Sequence, residues 1–115
     1  MKINIKTIKI DLTPSLNAYI EKRLAPLAKF VKRFDEAGEV EIWFEVQRLT
    51  EHHHKGEVFE ASADLRLPKK ILRAESTSAD IHAAIDKVKE ELHSEIQKYK
   101  TQFLEIDKKK LGKKR

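Results

Sequence analysis

Apolar side chains return at two different intervals along this 115-residue chain. From Ile81 the steps are four, three, four, four, three and four, through Ile85, Val88, Leu92, Ile96, Tyr99 and Phe103. On an α-helix these steps make one narrow apolar stripe, so the spacing predicts a long amphipathic helix. Ser78 serves as its N-cap in this reading, with Asp80 near the positive end of the helix dipole. Neither Gly nor Pro interrupts the span. A second stripe, Leu16, Ile20, Leu24, Leu27, Val31 and Phe34, flanked by Tyr19 and Phe30, predicts an earlier helix. Thr13 as N-cap and Pro14 at the first helical position mark its start. Pro26 falls inside the stripe, where it removes a backbone donor at a cost of roughly 3 kcal/mol, and predicts a kink.

Elsewhere the interval is two. Residues 2–10 alternate around Ile3, Ile5, Ile8 and Ile10, and slip in phase at Lys6–Thr7, which predicts a strand of about six residues ended by a bulge. Residues 39–47 place Val40, Ile42, Phe44 and Val46 on one face, opposite Glu41, Trp43, Glu45 and Gln47. After Gly38 and a long polar hairpin loop from Leu49 to Gly56, residues 57–67 place Phe59, Ala61, Ala63, Leu65 and Leu67 inward. Residues 71–77 form a short last strand with Leu72, Ala74 and Ser76 on its inner face. The resulting fold class is α+β, ordered β-α-β-β-β-α. The β-α-β passage is a right-handed crossover between parallel strands, and the rest is a meander. With one apolar face per strand, both helices pack on one face of a four-stranded mixed sheet. Water meets the Glu-rich face that carries Trp43. Residues 1–103 make one domain, and 104–115 a basic, flexible tail.

Charge changes this picture. Residues 1–34 carry eight basic and two acidic side chains, and residues 35–67 three basic and nine acidic. Residues 68–107 carry seven and eight, and the last eight residues six basic groups. A polyanion therefore meets a directional surface. Lys22, Lys29 and Arg33 share a face of the first helix, and Lys89, His93, Gln97 and Lys100 share one on the second. With the helices side by side, these faces line a groove suited to backbone phosphates. The alternative is a solvated surface laced with ion pairs, which Asp86 and Glu90 favour. Arg23 falls within the angle of the buried stripe, and escapes it by a kink at Pro26 or by snorkelling. Lys108, Lys109 and Lys110 of the tail add phosphate attraction without sequence preference.

The absence of Cys removes disulfides and thiolate chemistry. His52, His53 and His54 invite a metal reading. Consecutive loop residues diverge, however, and neither a Cys nor an HxxxH-type partner lies nearby, so a polar hairpin tip is favoured. His82 and His93 stand singly on the helix. No phosphate-cradling Gly loop, Ser-His-Asp order or zinc signature is present, so no enzyme, cofactor or metal is expected. The amino terminus lacks the continuous apolar core of a signal peptide, and no run reaches membrane-spanning length, which makes the cytoplasm the expected location. A second class of function remains open: a protein-interaction module using the exposed sheet face around Trp43.

The stretches LTPSLNAYIEKRLAPLAKF, KGEVFEASADLRLP, RAE, DIHAAID and KYK, taken in order over residues 1–103, resemble the ribosome hibernation-promoting factor family. Its members are also called ribosome-associated inhibitors, ribosomal subunit interface proteins or sigma modulation proteins. The resemblance implies a non-enzymatic inhibitor of translation, made in stationary phase or stress. Such an inhibitor binds small-subunit rRNA between head and body, over the mRNA and tRNA sites, with no membrane or small-molecule partner. The span resembles the short form, which lacks the dimerising C-terminal domain, and implies a free monomer. Lys22, Arg23, Lys98 and Lys100 match basic positions of the family. Glu91, Ser94 and Gln97 depart from its basic second helix, and Pro26 replaces a usually polar position.

Overall fold

In the computed structural model, which describes residues 1–35, 40–49 and 56–112 and side chains through Gln102, the alternating stretches form one four-stranded sheet. The strands are β1 (Lys2–Ile8), β2 (Glu41–Leu49), β3 (Val58–Leu67) and β4 (Lys70–Ser78), in the spatial order β1-β2-β3-β4. β1 runs parallel to β2, and the other neighbours are antiparallel. The register carries the alternation across the whole sheet. Ile3, Ile42, Leu65 and Leu72 form one inward row, and Ile5, Phe44, Ala63 and Ala74 the next.

The phase slip in the first strand has a different cause from the one expected. β1 pairs with β2 residue for residue, so no bulge ends it. Instead Lys9 takes the left-handed conformation, with φ of 60°. This turns the chain so that Ile10 joins the core, although Ile8 paired on the outward side opposite Gln47. β4 also exceeds its expected length and runs for nine residues.

The first helical rod starts as its sequence dictates. Pro14 opens α1 (Pro14–Leu24), and the Thr13 hydroxyl accepts the Leu16 N–H at 3.1 Å. The interruption expected at Pro26 is a 3₁₀ turn over Ala25–Leu27, followed by α2 (Ala28–Val31) and a second 3₁₀ turn, Lys32–Phe34. Tighter winding keeps the stripe facing inward, since Leu24, Leu27 and Val31 are all fully buried.

The N-cap of α3 (Ile81–Gly112) is Asp80, not Ser78. Ser78 ends β4, and its hydroxyl accepts the Asp80 N–H at 3.1 Å. The Asp80 carboxylate then accepts the His82 N–H at 3.0 Å, and its carbonyl the Ala84 N–H at 3.1 Å. The helix backbone continues past residue 103, the expected end of the domain.

One core joins all these elements, which places both helical rods on the same side of the sheet. Ile20, Leu24, Leu27 and Val31 enter it from the first rod, and Ala84, Ile85, Val88, Leu92 and Ile96 from α3. Asp35 fastens the end of the first rod to the strand starts. Its carboxylate accepts the Val40 N–H at 3.1 Å and contacts the Met1 amino group. Those bonds hold its pKa below the usual carboxylate value, the Met1 bond contributing most. Among the described residues, no helix is long and apolar enough to cross a membrane.

Candidate nucleic-acid interface

The two rods run in the same direction and meet along a seam of aromatic and basic side chains. Tyr19 packs edge-on against His82 with ring centroids 4.4 Å apart, Phe30 lies 4.5 Å from His93, and Phe34 lies 5.5 Å from Tyr99. Each pair joins a residue at the border of the first stripe to one at the border of the second, and each residue keeps a polar or solvent-facing side. Both residue numbers rise together along the seam, which is why the rods are parallel.

Cations sit over these rings. Arg23 lies 5.1 Å from the Tyr19 ring and Arg33 6.0 Å from Phe34. Lys29 from one rod and Lys100 from the other reach the same ring, Phe30, at 5.1 and 6.0 Å. His93 stacks on that ring, and its Nε2 lies 3.3 Å from the Gln97 amide. The centre of the seam is therefore one aromatic ring with two ammonium groups and an imidazole around it. Such a site offers phosphates a concentrated positive charge, and bases a flat surface for stacking.

One end of the seam is partly neutralised. Asp86 accepts the Tyr19 hydroxyl at 2.8 Å and pairs with Arg23 at 3.2 Å. Burial and then the Asp86 hydrogen bond raise the Tyr19 pKa. The Tyr19 hydroxyl, followed by the Asp86 charge, raises that of Arg23.

The structure thus brings together Arg23, Lys29, His93 and Lys100. Arg23 is not in the buried stripe, and its side chain is 49% exposed on the seam. Arg33 extends the line toward Phe34. Lys89 is half-buried, one residue past the buried Val88 and four before His93, on the flank of α3 facing the first rod. Lys22 is exposed, two residues from each of the buried Ile20 and Leu24, and points away from the core. Lys98 is separated from the rest. It pairs with Glu95 at 3.6 Å and lines a hollow with Lys70 and Leu72 on the β4 side of α3. Lys108, Lys109 and Lys110 fall in the last turns of α3, where the described side chains have ended, and His52–His54 lie outside the described residues.

Sequence reasoning missed Tyr19, Phe30, Phe34 and Tyr99 as parts of this surface. The signal was the placement of a cation next to each, or four residues on, as in Tyr19–Arg23, Lys29–Phe30 and Tyr99–Lys100. On the opposite sheet face Trp43 is 44% exposed. Its indole N–H donates to Glu41 of the same strand at 3.0 Å, and Arg66 of the adjacent β3 lies 4.9 Å from its rings, so one neighbour along the strand and one across it hold it.

The fold is shared with solved structures. The N-terminal domain of Protein Y from Thermus thermophilus matches with a TM-score of 0.64 at 23% identity, covering 86% of this chain and 99% of that one. A ribosomal subunit interface protein from Coxiella burnetii matches with a TM-score of 0.66 at 21% identity, covering 88% and 99%. Among curated relatives, the ribosome hibernation promotion factor of Lactococcus lactis subsp. cremoris is 36% identical over 105 residues, 90% of this chain and 51% of the relative. The corresponding factor of Deinococcus radiodurans is 30% identical over 95 residues, 83% of this chain and 47% of the relative. The chain therefore spans about half the length of these relatives. The family model described as Sigma 54 modulation protein / S30EA ribosomal protein matches residues 3–103, and the chain belongs to that family.

Proposed function

We propose that the chain is a cytoplasmic ribosome hibernation factor. In this reading it binds small-subunit rRNA through the seam, occupies the mRNA and tRNA channel, and blocks translation by steric occlusion. The observation that carries the reading is the convergence of Lys29, Lys100 and His93 on Phe30 from two different rods. Family membership supports it. Two rods side by side present a ridge of charge that follows a phosphate backbone, and the half-buried rings add stacking. Lys22, Lys98 and residues 108–110 contribute from the flanks as weaker, non-specific phosphate contacts.

Co-sedimentation with purified small subunits tests this. The protein is expected in the subunit fraction at low salt and released at high salt. Lys29→Glu combined with Lys100→Glu is expected to weaken binding at least tenfold, on the order of two lost phosphate contacts, without unfolding the domain. Unchanged binding by that double variant would remove the seam from the reading.

A second reading rests on the hollow of about 200 Å³ beside Trp43, lined by Asn4, Lys6, Glu45, Ser62 and Asp64. It makes the outer sheet face a protein-docking surface. Partner capture that survives nuclease and fails with Trp43→Ala would favour it over the first.

A further inference from the structure

The flank of α3 turned away from the seam faces an open edge of the sheet. β4 ends the strand order, so alternate N–H and C=O groups along its nine residues have no strand partner among the described residues. Proteins commonly block such edges with Pro, a bulge or inward-pointing charge. β4 has no Pro, pairs with β3 without a bulge, and places uncharged Leu72, Ala74 and Ser76 at its central inward positions.

Two open clefts follow this edge. One, of about 570 Å³, is lined by Ser62, Asp64, Arg73, Ala74, Glu75 and Glu91. The other, of about 340 Å³, is lined by Ser76, Lys87, Glu90, Glu91 and Ser94. Glu91 lines both, and the first cleft reaches it around the β4 edge from the outer-face residues Ser62, Asp64, Arg73 and Glu75. The small side chains of Ala74 and Ser76 leave the space that the side chains of an added strand require. Beside Ala74 and Ser76 the charge is acidic, whereas Lys70 and Lys98 border a separate hollow at the start of β4. Arg73 is taken by Asp64 at 3.2 Å, which leaves Glu75, Glu90 and Glu91 against Lys87.

We propose that β4 accepts an extended, lysine- or arginine-rich protein segment as a fifth strand. The segment's backbone completes the β4 ladder. Its alternate side chains meet Glu90 and Glu91 on the helix side and Glu75 on the outer face. This surface does not depend on the seam, which lies on the opposite flank of α3, so the molecule can hold RNA on one side and a basic protein segment on the other.

The test uses the full chain and a labelled nonapeptide of three Lys-Lys-Thr repeats, with two controls. One control replaces Lys by Glu, and the other replaces Thr by Pro to remove ladder donors while keeping charge. Binding is read by fluorescence anisotropy, and position by amide hydrogen exchange. The Lys-Lys-Thr peptide is expected to bind and to slow exchange at alternate residues of β4, while both controls fail. Glu90→Lys with Glu91→Lys is expected to weaken binding about tenfold, the scale of lost charge pairs at a partly exposed site. Lys100→Glu is expected to leave it unchanged, which separates this surface from the RNA reading. The proposal is overturned by equal binding of the Pro peptide, by protection appearing at the seam or around Trp43, or by no binding at millimolar peptide. Slowed exchange in β4 that grows with protein concentration alone also overturns it, because the occupant is then a second copy of the chain.

Discussion

On the proposed RNA surface, Asp86 governs how much of the Arg23 charge a phosphate would meet. It already holds the guanidinium at 3.2 Å and takes the Tyr19 hydroxyl. Asp86→Asn keeps an acceptor for that hydroxyl and removes the charge. Binding to small subunits is then expected to tighten several-fold, with the salt dependence steepened by about one phosphate contact. A flat response, measured by co-sedimentation across a salt series, would show that Arg23 takes no part. Asp35 gives a prediction of a different kind. Its folded pKa lies below the ordinary value of 3.8, so its stabilising contribution is present above that pH. The contribution is lost as pH falls through the folded value. Asp35→Asn is expected to cost about 1–2 kcal/mol at neutral pH, as two bonds to a charged acceptor weaken. The gap between the two proteins should close in acid, which urea titrations at several pH values will read. At this scale the sequence was legible where a side chain's role follows from its own helix. Thr13 caps α1. It was not legible where the role depends on the neighbouring rod. Arg23 and Lys98 changed sides because the Tyr19–Asp86 contact and the β4 edge are tertiary facts.

Each element shows where local rules were enough. Period-two alternation placed all four strands, since each has only one face to bury, and the register repeats that face across the sheet. The boundaries were less readable. Ser78 and Asp80 are both good capping types two residues apart, and the continuation of β4 through Ser78 decided between them. Asp80→Ala is accordingly expected to lower stability by about 1 kcal/mol. Ser78→Ala, which removes only the bond to the Asp80 N–H, should cost less. Chemical denaturation of both variants checks the order, and the reverse order would return the cap to Ser78. The Lys6–Thr7 phase slip was read as a bulge because alternation records only that a residue is out of step. It does not say whether the pairing or the backbone conformation absorbs the step. Here a left-handed Lys9 does so.

For the molecule as a whole, the core and the proposed RNA-binding surface use different sides of the same two rods. Leu92 is fully buried between α3 and the sheet, and its neighbour His93 stacks on Phe30 at the seam. Leu92→Ala removes core volume and is expected to cost about 2–5 kcal/mol, seen as a lower urea midpoint with an unchanged slope. Lys100 is half-buried and lies over the Phe30 ring without entering the core. Lys100→Glu is therefore expected to shift stability by no more than about 0.5 kcal/mol while weakening subunit binding. The two variants should separate cleanly when urea midpoints are set against co-sedimentation. Leu92→Ala, measured where it is still folded, should bind nearly as well as the parent chain, because Lys29, Phe30 and Lys100 are untouched. If it lost binding while folded, the seam would depend on the fine packing of α3 against the sheet, and the rods would not act as a fixed platform. If Lys100→Glu instead unfolded the chain, its ammonium would be part of the fold, and the phosphate-binding role would pass to Lys29 and Arg33.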